Sequence, residues 1–214
     1  MTAGAEANRK PLAAVILSGG ESRRMGSPKA LVPYRGKTFV EHLIEITRHP
    51  RVGLTRIVAG AHADEIRGRL AANANDIVVN ADWEKGQLSS IQAGVRSLPE
   101  GGTEGMILCP VDHPIVSANL VARLIHEFDA SGRAIALPTY HGRRGHPLIF
   151  RASLYAELLA ASADVGARQV VWAHEADTCA VPTDEEGVVL NINDPITLAR
   201  ALGGAASNTP DSGP

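Results

Sequence analysis

The chain reads as a single α/β domain built on a mostly parallel sheet with helices on both faces. Three observations predict this. Segments of strand and helix character alternate along the sequence. The strand segments are apolar throughout rather than alternately apolar and polar, as strands covered on both faces are. The length, 214 residues, suits one core. No fixed-period repeat or interdomain linker interrupts the pattern.

Met1–Lys10 reads as a flexible arm, 11–202 as the folded domain, and Gly203–Pro214 ("GGAASNTPDSGP") as a disordered tail with almost nothing to bury. "LAAVIL" is the first strand. "TFVEHLIEITRH" places Phe39, Val40, Leu43, Ile44 and Ile46 on a helical stripe, with Thr38 as its N-cap. "TRIVAG" is a strand, "ADEIRGRLAA" a helix and "DIVVN" a strand. "SSIQAGVRSL" is a helix that serine caps. "GMILCP" is a strand, followed by the helix "ANLVARLIHEF". "RAIALPTY" and "HPLIF" are strands, and "RASLYAELLA" and "ARQVVWAHE" are helices. "VVLNI" is expected as the last strand and "DPITLARAL" as the last helix, with Pro early in it. Open parallel sheets bind ligands beyond the carboxyl ends of their strands. The loops after Leu17, Cys109 and Leu190 are therefore where chemistry is sought.

Apolar residues make up 44% of the chain and aromatics 4%, so Val, Leu, Ile and Ala must fill the core. The net charge of −2 gives no global pull toward nucleic acid or an anionic membrane. Positive charge is local: Arg23, Arg24, Lys29, Arg35 and Lys37 crowd one segment against Glu21. Two cysteines without a CxxC pair argue against a disulfide framework or zinc site and fit a reducing, cytoplasmic setting. Arg9 and Lys10 before "PLAAVIL" loosely mimic a signal peptide, but the apolar run is short and lacks a cleavage signal. No apolar run approaches the ~20 residues of a membrane span.

"LSGGESRRMGSPK", Leu17 to Lys29, combines flexible backbone with cations. Gly19, Gly20 and Gly26 let backbone N–H groups converge on an anion, to which Arg24 and Lys29 add charge. A phosphate-bearing ligand is the natural guest; an ordinary Gly- and Arg-rich surface turn is the alternative. The dinucleotide fingerprint G-x-G-x-x-G is absent, and "RGKT" lacks the earlier glycine a P-loop requires. "GMILCPVDHP" puts Asp112 just past a strand, where a carboxylate suits Mg2+; a plain turn aspartate is the alternative. His113 reads as structural or substrate-facing. His141 and His146, without further ligands, make a weak metal site.

"SGGESRRMGSPKALVPYRGKTFVEHLI" resembles the signature loop of MobA/MocA-type nucleotidyltransferases, (A/S)-(A/G)-G-x-S-x-R-M-G-x-x-K followed by L-x-x-x-x-G. The match runs through Gly20, Ser22, Arg24, Met25, Gly26, Lys29, Leu31 and Gly36. The resemblance implies a Rossmann-like, glycosyltransferase-A type three-layer sandwich that transfers a nucleoside monophosphate from an NTP. Leu17, Ser18, Gly19, Gly20, Ser22, Arg24 and Lys29 would hold the nucleotide phosphates. Asp112 falls on the family's metal-binding aspartate. "VVLNINDP" matches the terminal metal segment, which makes Asn193 a second Mg2+ ligand. Asp194 stands where the family has Thr, and it can cap the last helix instead. "KGQLSSIQAG" resembles a segment that brings Gln87, Ser89 and Ser90 to the base or ribose.

"HGRRGHPLIF" matches the G-x-x-G-H-P of the MocA branch, the cytidylyltransferases of the molybdenum cofactor. It implies CTP and a molybdopterin-type acceptor, with His113, His146 and Arg168 as candidate acceptor contacts. Asn191–Asn193 leans toward the guanylyl pattern, so a GTP-using enzyme or one with another phosphorylated acceptor is the alternative. A non-catalytic partner in molybdoenzyme maturation is the alternative of another class. A molybdoenzyme or its maturation chaperone is the macromolecular partner that the resemblance allows.

Overall fold

The computed structural model describes residues 9–205. All but the last two residues of the expected arm, and the expected tail beyond residue 205, lie outside the described residues. The chain begins with β1 (Leu12–Ser18), buried along its whole length. A loop of short 3-10 turns follows. It leads to a small hairpin, β2 (Pro33–Tyr34) and β3 (Lys37–Thr38), whose turn residues Arg35 and Gly36 both take positive φ. Thr38 opens α1 (Phe39–Ile46) with a capping box: its hydroxyl accepts from Glu41 N–H, and Glu41 reaches back to Thr38 N–H at 2.7 Å. Next come β4 (Val52–Ala59), α2 (Ala63–Arg69), β5 (Ile77–Val79), α3 (Gln87–Arg96) and β6 (Gly105–Pro110). The second half adds α4 (Ala118–Ser131), β7 (Ile135–Tyr140), β8 (Arg143–Arg144), β9 (Leu148–Arg151), α5 (Tyr155–Ala160), α6 (Arg168–Ala173), β10 (Thr178–Pro182) and α7 (Pro195–Ala205).

The main sheet runs β10-β7-β9-β6-β1-β4-β5, with β8 paired to β7. Only β9 and the short β8 run against the rest. Successive residues of β1 serve opposite faces. Leu12 and Ile16 pack with α1 and α4, while Ala13, Val15 and Leu17 pack with α3, α5 and α6. Both faces are covered, which is why the strands carry unbroken apolar runs. The fold is the expected three-layer α/β sandwich with a mostly parallel sheet.

After β1 the chain builds outward through β4 and β5, then returns to lay β6 on the other side of β1. The loops after β1 and β6 leave in opposite directions and open a crevice between them. The carboxyl ends of β1, β4, β5, β6 and β7 share this edge. Because β9 is antiparallel, its start lies there too.

Four expectations need correction. Residues 188–192 are not a strand. Glu186–Val188 form one 3-10 turn, and the following residues cross the sheet end as a strap. The strap is pinned by His146 N–H to Val188 O at 2.8 Å and by Ile192 N–H to Asp112 O at 2.7 Å. Val188 and Ile192 are fully buried, and burial writes the same apolar run in a strap as in a strand. Conversely, β10 goes unanticipated, since this short edge strand buries only Val181. Finally, α3 begins at Gln87 behind Gly86, and the Ser89 hydroxyl donates back to Gly86 O instead of capping. The last helix runs three residues into the segment expected as tail.

Candidate active site

A cleft of about 380 Å3 opens at the crevice between β1 and β6. One wall is the glycine turn after β1. Gly19 packs so tightly against α3 that a Cβ there would lie 2.5 Å from Ser90 Oγ. A side chain there would have to displace the Ser90 hydroxyl, and the turn's backbone lines the cleft. Ser22 takes a left-handed conformation (φ 56°), uncommon for serine. The cause is visible: its hydroxyl accepts from Lys29 N–H at 2.9 Å, closing the loop on itself.

Lys29 thereby points inward. Its ammonium donates to Asn193 Oδ1 at 2.7 Å and feels the carboxylates of Asp112 and Asp194. Burial pulls the Lys29 pKa below its usual value, Asp112 partly opposes this, and Arg24 adds to the lowering. Three segments distant in sequence thus converge on one ammonium. Asp194 is otherwise engaged. It accepts from Thr197 N–H at 2.8 Å and from the Thr197 hydroxyl, capping α7, and these bonds hold its carboxyl below the usual range. Asn193 therefore faces the cleft's cation while Asp194 serves the helix.

Of the residues singled out in the sequence, Leu17, Ser18, Gly19, Gly20, Ser22, Lys29, Gln87, Ser90, Asp112, His113 and His146 line the cleft. Arg24 does not; it is exposed and acts on Lys29 and Asp194 through its charge. Ser89 does not either. Its hydroxyl donates to Asp82 O and Gly86 O and accepts from Asn80, whose amide also bonds Ser90. That network shapes the loop before α3 and engages the Ser89 proton. Asn193 reaches the cleft through Lys29.

His113 and His146 pack against each other, ring centroids 4.6 Å apart with the planes tilted by 44°, and their buried Nδ1 atoms have no protein partner. Burial lowers both pKa values, that of His146 to about 3, so both rings are neutral near pH 7. His146 borders a second cavity of about 550 Å3 that shares Gly86 and Gln87 with the first. Its floor is apolar, from Leu88, Leu137 and Phe150, and its rim carries Lys85, Arg144, Arg168 and Trp172.

Sequence reasoning missed His62, Trp83 and Asn191, which also line the cleft. Asn191 stands two residues before Asn193 in an N-x-N pattern. Trp83 and His62 lie on loops after β5 and β4, strand ends that the strand-end rule covers equally. Among the described residues, no group of three or more His, Cys, Asp or Glu could hold a metal. A dedicated protein cage is therefore absent from them. Asp112 brings a carboxylate to the cleft, and the Asn193 amide oxygen accepts from Lys29 at its edge; a hard ion such as Mg2+ is commonly held by one or two carboxylates plus substrate phosphates. No helix of the described residues is long and apolar enough to cross a membrane.

Residues 14–178 match the family model described as the MobA-like NTP transferase domain. The chain is 37% identical over 164 residues to the nicotine blue oxidoreductase of Paenarthrobacter nicotinovorans, covering 72% of this chain and 78% of that one. It is 31% identical over 143 residues to a probable molybdenum cofactor guanylyltransferase of Bacillus cytotoxicus, covering 65% and 67%. Among solved structures, Rv0371c of Mycobacterium tuberculosis superposes with a TM-score of 0.79 at 25% identity, covering 90% of this chain and 98% of that one. The same protein has been solved in complex with manganese (TM-score 0.73, 25% identity, 90% and 98% covered).

Proposed function

The chain belongs to the MobA-like NTP transferase domain family, and we propose that it transfers a nucleoside monophosphate from an NTP to the terminal phosphate of a molybdopterin-type acceptor, releasing pyrophosphate. One observation carries this reading: the Lys29 ammonium, at the end of the glycine turn, meets Asn193 at 2.7 Å and faces Asp112. That arrangement supports a polyanion site with oxygen donors close to its cation.

The acceptor phosphate attacks the α-phosphorus, and the bond to the bridging oxygen of the β-phosphate breaks. A phosphomonoester has a second pKa of ~6, so this nucleophile needs no general base at neutral pH. Burial makes His113 and His146 weak bases, which matches that lack of demand. The obstacle is repulsion between anions, overcome by positioning and charge. The glycine turn would cradle the β- and γ-phosphates with backbone N–H groups. Lys29 would neutralise the charge growing on pyrophosphate, with exposed Arg24 closing over the phosphates. Asp112 and Asn193, which both act on Lys29, would hold a divalent ion, which would supply charge neutralisation to the phosphates. A family neighbour solved with manganese supports divalent metal use. The second cavity fits the acceptor. Its apolar floor suits a planar ring system, Arg168 on its rim suits a phosphate, and His146 lies where the two cavities join.

For the base we propose cytosine, because the chain carries the G-x-x-G-H-P segment that resembles the cytidylyl branch, and its His146 lines both cavities. Guanine is the second reading, favoured by the relatives named as guanylyltransferases. A thermal-shift panel of CTP, GTP, UTP and ATP with Mg2+ separates them: a ligand at ~100 times its Kd stabilises by ~2.7 kcal/mol. Preference for GTP overturns the choice of base. Absence of Mg2+-dependent pyrophosphate release with acceptor overturns the transferase reading and favours a non-catalytic maturation role.

A further inference from the structure

His62 lies on the loop between β4 and α2 and lines the cleft, yet the phosphate-binding scheme above does not use it. Its two ring nitrogens both face acceptors. Nδ1 is 2.8 Å from Glu65 Oε1, and Nε2 is 3.1 Å from the backbone oxygen of Glu21. A carboxylate and a carbonyl can only accept. A neutral imidazole has one N–H, so it would leave one of these contacts as lone pair against lone pair. Only the imidazolium satisfies both. Glu21 belongs to the glycine turn, and the same loop grips that turn a second time through Ala61 N–H to Gly19 O. Gly60 packs against the turn as well, where a Cβ would lie 2.3 Å from Gly19 O.

We propose that His62, held as an imidazolium between Glu21 O and the Glu65 carboxylate, is a positioning residue that latches the glycine turn in its anion-binding shape and adds positive charge to the cleft. The inference rests on the reading of this cleft as an NTP site. The charged groups acting on the ring are Glu65, on its own helix, and Glu21 across the loop, whose side chain is paired with Arg23 at 2.7 Å. The Glu21 carbonyl, then the Glu65 carboxylate, raise the His62 pKa above its usual value. The sign follows: the latch is closed below that raised pKa and loosens as pH rises through it, so nucleotide affinity declines with alkalinity.

The test is calorimetric titration of the Mg2+ complexes of CTP and GTP into wild-type protein, His62→Ala and Glu65→Gln across the histidine range. The nucleotide's own titration is common to all three proteins and cancels in Kd ratios. The His62→Ala to wild-type ratio is expected to be about tenfold at about pH 6, the size of one charge-assisted hydrogen bond, and to fall toward one at about pH 9. Glu65 is largely exposed, so Glu65→Gln should keep the fold. Its ratio is expected near one at both extremes and maximal between them, because the neutral amide releases the His62 proton at lower pH. The ring midpoint of His62, followed by NMR, should lie above ~6.5 and fall in Glu65→Gln. Flat ratios in a wild-type protein that binds nucleotide, or a midpoint indifferent to Glu65→Gln, overturn the inference alone. Wild-type protein that binds neither nucleotide overturns the NTP reading, and the latch with it.

Discussion

Replacing Lys29 with methionine removes one charge and keeps most of the side-chain volume. Two magnitudes bound the effect. A hydrogen bond to a charged group contributes ~1.5–3 kcal/mol. A unit charge ~4 Å from a phosphate contributes ~4 kcal/mol at an effective dielectric constant of ~20. The ammonium donates to Asn193 and would face the leaving pyrophosphate, so the loss in kcat/KM should be ~2–4 kcal/mol, or roughly 30- to 1,000-fold. Stability should move the other way. Burial holds the Lys29 pKa below that of the unfolded chain, so the unfolded chain binds this proton more tightly and the buried ammonium costs stability at neutral pH. Lys29→Met should therefore melt at the same temperature as wild type or higher at neutral pH, and the gap should close at alkaline pH as wild-type Lys29 deprotonates. Pyrophosphate release gives kcat/KM, and thermal unfolding at both pH values gives the rest. A variant with near-wild-type kcat/KM removes Lys29 from the chemistry. A variant several degrees less stable would show instead that the ammonium anchors the strap through Asn193.

Three further outcomes follow from the same geometry. Asp112→Asn keeps the side-chain shape but removes the one carboxylate that lines the cleft among the described residues. Turnover should fall by at least ~100-fold with the circular dichroism unchanged, and retained turnover with Mg2+ excludes Asp112 as metal ligand. Gly187→Ala places a carbon 1.5 Å from Ile115 O, so the strap must shift. A loss of at least ~1–3 kcal/mol in urea unfolding is expected, and an unchanged midpoint contradicts the close packing of strap on loop. His146, whose pKa burial pushes down to about 3, is neutral in the fold and charged when unfolded in acid. Its contribution is complete above ~6.5 and is lost by up to ~1.4 kcal/mol per pH unit as pH falls from there toward 3; His146→Leu should show a shallower acid limb, and an identical limb refutes the assignment.

What the sequence disclosed depended on how each feature is encoded. The β1 strand and the α1 stripe were legible because burial on a regular element writes a periodic pattern. The glycine turn was legible because its demands, open backbone and converging cations, are chemical as well as geometric. The 188–192 strap was misread because full burial of Val188 and Ile192 writes the same letters whether or not the backbone pairs with a strand. β10 was missed for the complementary reason: an edge strand with one buried residue leaves almost no hydrophobic trace. Ser89 illustrates a third limit. Its place near a helix start suggests a cap or a ligand contact, whereas in the fold Asn80 draws its hydroxyl into the loop. His62 had no local signature at all. Its meaning comes from Glu21, which the parallel pairing of β1 with β4 brings beside it.

The single antiparallel insertion explains how one small domain carries two adjoining cavities. In a wholly parallel sheet, each strand offers the edge only the loop that follows it. Reversing β9 between β6 and β7 presents instead the residues that precede it, Gly145 and His146, next to Asp112 at the end of β6. The β7–β8 hairpin, turning at the same edge, adds Arg144 to the rim of the second cavity. The strap then bonds to both sides of this arrangement, to His146 N–H through Val188 and to Asp112 O through Ile192, before delivering Asn193 to Lys29. The wall between the cavities and the donor set of the first are thus one hydrogen-bonded unit. A change in the strap should therefore disturb both sites together, whereas a change on the outer rim, such as Arg168→Ala, should weaken acceptor binding and leave nucleotide affinity intact. Equal loss at both sites in Arg168→Ala would show that the two cavities work as one.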